Sequence, residues 1–270
     1  MTPLASSEPP PRIRVVNLTM AYDDFVIQHD LSFNVARGEI FAVMGGSGCG
    51  KSTLLRHMIG LIRPVRGEVI FDDVSLWDAD DEQRQLVLRR FGVLFQGGAL
   101  WSSMTLAENI ELPLGEFTDL TPGQIREVAR FKLCLVGLAG FEDFYPSEIS
   151  GGMQRRAGLA RAMALDPDIL FLDEPSSGLD PVSSRLLDDL ILELRDSLRC
   201  TVVVVTHGLA SIFAIADNSV YLDAETRTML ATGNPKTLLR ESKEPKIRAF
   251  LTRGGQELGA APDGAGRGTE

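Results

Sequence analysis

Residues 45–53, GGSGCGKST, crowd Gly45, Gly46, Gly48 and Gly50 around Ser47 and Cys49 and end in Lys51, Ser52 and Thr53. The run fits G-x-x-x-x-G-K-[ST] with Gly45, Gly50, Lys51 and Ser52 at the fixed positions. Glycines let the backbone curl so that successive N–H groups face one anion, and a helix starting at Lys51 adds its positive end. In that geometry Lys51 is expected to reach the β- and γ-phosphates of a nucleotide, and Ser52 to ligate Mg²⁺. The stretch ILFLDEP, 169–175, supplies a second half. An apolar strand delivers Asp173 to its end, where a carboxylate can hold the metal shell, and Glu174 follows as a candidate base for an attacking water.

A second phosphate-like loop follows much later in the chain. Ser150, Gly151 and Gly152 open the helical run SGGMQRRAGLARAMAL, with Ser150 as the expected N-cap. One P-loop fills one nucleotide, so this loop has no phosphate left within its own chain. The economical solution is a second copy: two chains head to tail around two ATPs, each nucleotide held by one P-loop and the other chain's Ser150 loop. Such an interface is self-complementary, as a two-fold dimer requires.

The elements that position these residues alternate between short apolar runs and helical spacing, the pattern of an α/β sheet covered on both faces. EIFAVMG (39–45), FGVLFQ (91–96), DILFLDEP (168–175) and TVVVVTH (201–207) read as core strands, and ligands bind at the carboxyl ends of such strands. IRVVNLTMAY, FVIQHDLSFNV and GEVIFDD suggest a smaller antiparallel layer beside them. The expected fold class is α/β, a P-loop NTPase core with that antiparallel layer and a helical subdomain inserted at about 97–165. Residues 1–11 are expected to be a flexible leader, 12–253 the folded domain, and 254–270 a disordered tail rich in glycine and alanine. No apolar run approaches the ~20 residues of a membrane-spanning helix. A net charge of −10, from 27 basic and 37 acidic residues, argues against a nucleic-acid-binding face. Three scattered cysteines, Cys49, Cys134 and Cys200, form neither a metal spacing nor a disulfide framework and suit a reducing compartment.

With these motifs in order, the sequence resembles the ATP-binding-cassette (ABC) ATPases over roughly residues 12–250. The resemblance implies further roles. Gln96 matches the glutamine that contacts Mg²⁺ and the attacking water and senses a membrane partner. ISGGM, with Ser150, Gly151, Gly152 and Met153, matches the signature that acts in trans. SSGLDP (176–181) matches the D-loop, with Asp180 reaching across the dimer. His207 matches the switch histidine on the γ-phosphate, and Tyr22 sits where the family stacks an aromatic ring on adenine. No motif claims His29 or His57. Arg155 and Arg156 are expected on the solvated face of the signature helix, with the groove near phosphate as the alternative, and Cys49 reads as a small residue that fits its loop.

Within the family, Met153 in place of glutamine, the segment QGGALWSSMTLAENIELPL (96–114) and the final EPKIRAFLTRG (244–254) are similar to ATPases of Mla/Mce-type phospholipid transporters, of the toluene-tolerance and paraquat-inducible kind. That likeness implies a peripheral subunit on the cytoplasmic face of the inner membrane, working with ATP and Mg²⁺. Its partners would be a second copy of the chain, an integral-membrane permease, a lipid-binding MCE-domain protein and a small STAS-domain regulator, with no nucleic acid. The tail GAAPDGAGRGTE does not match the longer one that reaches the opposing subunit in that group. Two alternatives share the catalytic residues: a cassette serving another small solute, and a soluble ABC ATPase of translation or DNA repair.

Overall fold

The computed structural model describes residues 10–252. Most of the expected leader and the whole of the expected tail lie outside the described residues. Two sheets share the domain. The larger has six strands in the order β10-β9-β3-β8-β7-β6, in which β3 (Ile40–Gly45), β6 (Phe91–Leu94), β7 (Ile169–Asp173), β8 (Thr201–Val205) and β9 (Asn218–Asp223) run parallel and β10 (Thr228–Thr232) is antiparallel. Every residue of β3, β7 and β8 is buried, because both faces of a parallel sheet are covered and leave no polar side to alternate with. Register aligns their carboxyl ends: Val205 pairs with Val43 on one side and with Asp173 on the other. The three loops that follow Gly45, Asp173 and Val205 therefore open at one edge.

The smaller sheet, β2-β1-β4-β5, is antiparallel and contains β1 (Ile13–Tyr22), β2 (Phe25–Val35), β4 (Arg66–Phe71) and β5 (Val74–Ser75). In β1 buried and half-exposed residues alternate over most of its length, so one face packs inward. Ile13, Val15 and Leu31 from this layer join Phe41, Phe171 and Val203 of the large sheet in a common core, and Leu54, Leu55 and Met58 of α1 (Lys51–Met58) complete it. The expected α/β core flanked by an antiparallel layer describes this architecture.

Between β6 and β7 the chain is helical, with α3 (Leu106–Phe117), α4 (Pro122–Leu135) and α5 (Gly151–Ala162). Capping boxes start two of them: Thr105 with Glu108 and Thr121 with Gln124 each satisfy two orphan donors. Leu106, Ile110, Leu133 and Leu159 knit the helices to Leu94 and Leu172 of the sheet. Helix α5 seats closely on β6, where a Cβ at Gly92 would stand 2.2 Å from the Ala162 carbonyl oxygen, so only glycine allows the approach. The remaining helices are α2 (Asp81–Leu88), α6 (Pro181–Leu198), α7 (Leu209–Ile215), α8 (Pro235–Glu241) and α9 (Pro245–Thr252). Strands β9 and β10 were not among the runs singled out in the sequence. The first is a short parallel strand buried beside β3, and the second packs only partly and lacks a continuous apolar signal. Among the described residues no helix is long and apolar enough to cross a membrane.

Candidate active site

The loop after β3 curls as its glycines permit. Gly45, Gly48 and Gly50 have φ of 150°, 76° and 97°, all in the region that side chains disfavour. A Cβ on Gly45 would lie 2.4 Å from the Leu222 carbonyl oxygen, and one on Gly50 would lie 2.7 Å from Ile27 Cγ2. At Gly46 and Gly48, by contrast, nothing stands within 4 Å, so the backbone there faces open space. Lys51 is almost buried and donates from Nζ to the carbonyl oxygens of Gly45 and Gly46 at 3.2 and 3.0 Å, closing the loop over its own mouth. Cys49 turns its side chain into the core, and burial pushes its thiol up. It joins the site through loop backbone alone.

A cleft of about 840 Å³ lies over this loop. Its walls include Gly45, Gly46, Ser47, Gly48, Gly50, Lys51, Ser52 and Thr53, together with Tyr22, Gln96, Glu174 and His207. Most of the residues singled out in the sequence are thus brought together, from five separate segments. Tyr22 and Phe25 are direct cross-strand partners at the β1–β2 turn, so both rings stand on one face and form the cleft's apolar end with Ile27.

Behind the loop, Ser52 Oγ donates to Asp173 Oδ1 at 3.0 Å. Burial pushes the Asp173 carboxyl above its ordinary value; the Ser52 hydroxyl opposes this, and the neighbouring charge of Glu174 adds to it. A hydroxyl and a carboxylate in contact form a hard-oxygen donor set, the kind that Mg²⁺ takes. Glu174 adopts a left-handed φ of 49°, held by its N–H donating to the Val205 carbonyl at 2.8 Å. Such a backbone costs on the order of 1–3 kcal/mol and marks a residue whose position is enforced. Glu174 Oε1 lies 2.7 Å from His207 Nδ1, while Oε2 is buried without a hydrogen-bond partner among the described residues. An orphaned carboxylate oxygen next to the phosphate loop suits a water that is to be deprotonated.

Ser150, Gly151, Gly152, Met153 and Asp180 are not among the residues lining this cleft. Ser150 caps α5, its Oγ accepting from the Met153 N–H at 3.3 Å, and the Met153 side chain packs on the helical core. Asp180 caps α6 and accepts from the Val182 and Ser183 N–H groups at 3.0 Å each; the Ser183 hydroxyl holds its carboxyl below the usual range. Gly152 approaches α6 too, with a Cβ there 3.5 Å from Ser183 Oγ. The loops at Ser150 and Asp180 therefore form one surface, apart from the cleft over residues 45–53.

One expectation needs correction. Arg155 and Arg156 do not sit on a solvated face. Arg155 Nη2 donates to the Ser177 carbonyl at 3.1 Å, tying α5 to the loop that follows β7, and burial lowers its pKa. Arg156 Nη1 donates to the carbonyls of Val136 and Gly137 at the end of α4. Long aliphatic stems let both cross half-buried ground to reach orphan carbonyls. The sequence motifs also gave no sign of Gln28, fully buried in β2, whose Nε2 donates to the Cys49 carbonyl at 2.8 Å and to the Asp223 carbonyl at 2.9 Å. It pins the phosphate loop to both sheets, and a glutamine in an alternating strand carries no local signal of that.

The chain is similar to known proteins over most of its length. A family model described as "ABC transporter" matches residues 28–177. The chain is 40% identical over 260 residues to the "Probable ribonucleotide transport ATP-binding protein mkl" of Mycobacterium tuberculosis, covering 95% of this chain and 71% of that protein. It is also 40% identical over 239 residues to the "Intermembrane phospholipid transport system ATP-binding protein MlaF" of Haemophilus influenzae, covering 88% and 89% of the two chains. Among solved structures, the dimeric post-hydrolysis state of the ATP-binding cassette MJ0796 bound to ADP and Pi superposes with a TM-score of 0.74 at 30% identity, over 82% of this chain and 98% of that one. Phosphate loop, strand-end carboxylates and near-full-length relatives converge on one conclusion: this chain belongs to the ABC transporter family, as an ATP-binding subunit that hydrolyses ATP.

Proposed function

We propose that this chain powers the movement of phospholipid between inner and outer membranes, as a peripheral ATPase on the cytoplasmic face of the inner membrane. The observation that carries the cargo is the near-full-length likeness to a protein named for intermembrane phospholipid transport. The segment 96–114 and Met153 support it. Residues 12–253 act as the ATPase domain, with 97–165 as its helical subdomain. The permease docks along the groove beside Gln96, an MCE-domain protein carries lipid beyond it, and a STAS-domain protein binds the helical subdomain.

ATP occupies the cleft with its phosphates on the backbone of residues 45–53 and its base against Tyr22. Ser52, Asp173 and Gln96 would hold Mg²⁺, which when bound neutralises charge on the phosphate oxygens. Lys51 exchanges its two loop carbonyls for the β- and γ-phosphates. Glu174 takes a proton from water through its free Oε2 as the water oxygen attacks the γ-phosphorus and the bond to the ADP oxygen breaks. His207 holds Oε1 and keeps the carboxylate aimed. Ser150, Gly151, Gly152 and Met153 of one copy close over the nucleotide of the other, and Asp180 reaches across the same interface. ATP thus joins two copies, and hydrolysis releases them.

Tagged Glu174→Gln protein, purified with ATP from detergent-solubilised native membranes, tests the cargo. Mass spectrometry is expected to find a permease, an MCE-domain protein and bound phospholipid. A permease without an MCE protein, retaining a ribonucleotide or other small solute, would overturn the phospholipid reading. It would favour the kind of cargo named in the mycobacterial relative.

A further inference from the structure

Helix α9 has no part in the mechanism above, yet it reaches the cleft. Ile247, Phe250 and Leu251, spaced i, i+3 and i+4, are 0%, 8% and 0% exposed and form one buried stripe. The stripe belongs to a small core of its own with Met44, Ile212 and Tyr221, and Leu209 packs at its edge. Two of these neighbours matter for chemistry. Met44 is the residue before Gly45, at the root of the phosphate loop, and Leu209 opens α7 two residues after His207. Phe250 stands edge-on to Tyr221, with ring centroids 5.3 Å apart, and lines the same cleft as Leu209 and His207.

A polar anchor fixes the same helix. Lys246, one helical turn before Phe250, reaches Asp223 Oδ2 and Glu225 Oε2 at 2.7 Å each. The Asp223 carbonyl in turn accepts from Gln28, whose amide also holds the Cys49 carbonyl of the phosphate loop. Helix α9 thus shares one small core with Met44, at the root of the phosphate loop, and with Ile212 and Leu209 of the helix that follows His207. The segment carrying His207 is held by Thr206 N–H donating to the Val43 carbonyl at 3.3 Å, Gly208 N–H donating to Thr206 Oγ1 at 3.0 Å, Ile212 N–H donating to the Gly208 carbonyl at 3.0 Å and Ser211 Oγ donating to Asp188 Oδ2 at 2.8 Å; none of these bonds touches the Leu209 side chain. His207 itself is largely exposed, and its side chain is held by the contact with Glu174. The packing of Leu209 against the α9 core is a further restraint on where His207 stands.

We propose that Phe250 is a positioning residue for ATP hydrolysis: from α9 it backs Leu209 and so sets where His207 stands relative to Glu174 and the phosphate loop. This rests on the role proposed for His207. A misplacement of about 1 Å at a reacting group costs on the order of 10²-fold in rate, so loosening this core should act on turnover rather than on nucleotide affinity.

Full-length Phe250→Ala, Phe250→Leu and Lys246→Ala proteins test it, well below their unfolding temperatures. Three readouts are needed: affinity for a fluorescent ATP analogue, kcat, and hydrogen–deuterium exchange. Phe250→Ala is expected to lower kcat about tenfold with Kd within about twofold, and Phe250→Leu to recover most of the rate. Amides of 206–212 should exchange faster together with those of α9, while those of α1 stay protected. Unchanged kcat in folded Phe250→Ala, loss of affinity as large as the loss of rate, or faster exchange confined to α9 would each overturn the proposal. If Phe250→Ala does not fold, Lys246→Ala decides, since it removes only the half-exposed anchor: 206–212 and α9 must loosen together. His207→Ala at full turnover would defeat the role given to His207, whereas the exchange data speak for Phe250 alone.

Discussion

Glu174 combines a backbone that side chains resist, one carboxylate oxygen bonded to His207 and one buried without a partner among the described residues. Glutamine at this position has nearly the same shape and keeps a hydrogen bond to the imidazole, but it cannot take a proton from water. Glu174→Gln is therefore expected to bind ATP normally and to lose about 10²–10⁴-fold in turnover. Phosphate release under saturating ATP, beside a binding titration, measures both. Retention of more than about a tenth of the rate would remove Glu174 as the general base.

At the scale of the element, α1 carries a titratable group that the phosphate loop does not use. His57 is fully buried, its Nδ1 lies 2.8 Å from the Thr53 carbonyl, and its Nε2 has no partner among the described residues. The carbonyl can only accept, so Nδ1 carries a proton, while Nε2, buried with no partner among the described residues, stays unprotonated and leaves the ring neutral. Burial lowers its pKa from the ordinary 6.5, with the Thr53 bond opposing. The unfolded chain then takes up a proton near pH 6.5 while the folded chain does not. Stability tied to the neutral ring is complete above that pH and is lost as pH falls towards the folded pKa, by at most about 1.4 kcal/mol per pH unit. His57→Gln keeps a donor for Thr53 and does not titrate, so its Tm should fall less steeply than the parent's between about pH 6.5 and 5.5. Buried carboxyls such as Asp173 and Asp188 are common to both proteins and cancel in the difference. Parallel Tm curves would show that His57 is not a source of acid sensitivity.

For the whole molecule, the decisive fact is that the signature surface and the nucleotide cleft are separate. On the proposed function, a copy that uses only its own residues leaves the Ser150 loop without a phosphate to hold and Asp180 without an opposing subunit to reach. Ser150→Arg places a long cation at the cap of α5, remote from the cleft. It is expected to leave ATP binding by the monomer intact, to abolish the ATP-dependent dimer of the Glu174→Gln protein on gel filtration, and to stop turnover of the otherwise unaltered chain. The lost cap costs about 1 kcal/mol of local stability, too little to unfold the domain. If monomer binding vanished instead, the signature loop would be acting in cis.

The phosphate loop, the strand ending in Asp173 and Glu174, and the cap at Ser150 were legible in the sequence because each is a local device. Glycines placed at a turn, an apolar run ending in carboxylates and a hydroxyl before a helix act on residues a few positions away. Buried strands such as β3 and β8 were equally plain, since a parallel sheet demands unbroken apolar runs. What holds the loop still was not legible. Gln28 reaches partners 21 and 195 positions away in the chain. Arg155 finds the Ser177 carbonyl, and Phe250 comes to line the same cleft as His207, only once the segments between them have folded. A hydrogen bond or a packed ring imposes no spacing on the sequence when its partner is distant. The chemistry is therefore written locally, and its alignment is decided by the tertiary structure.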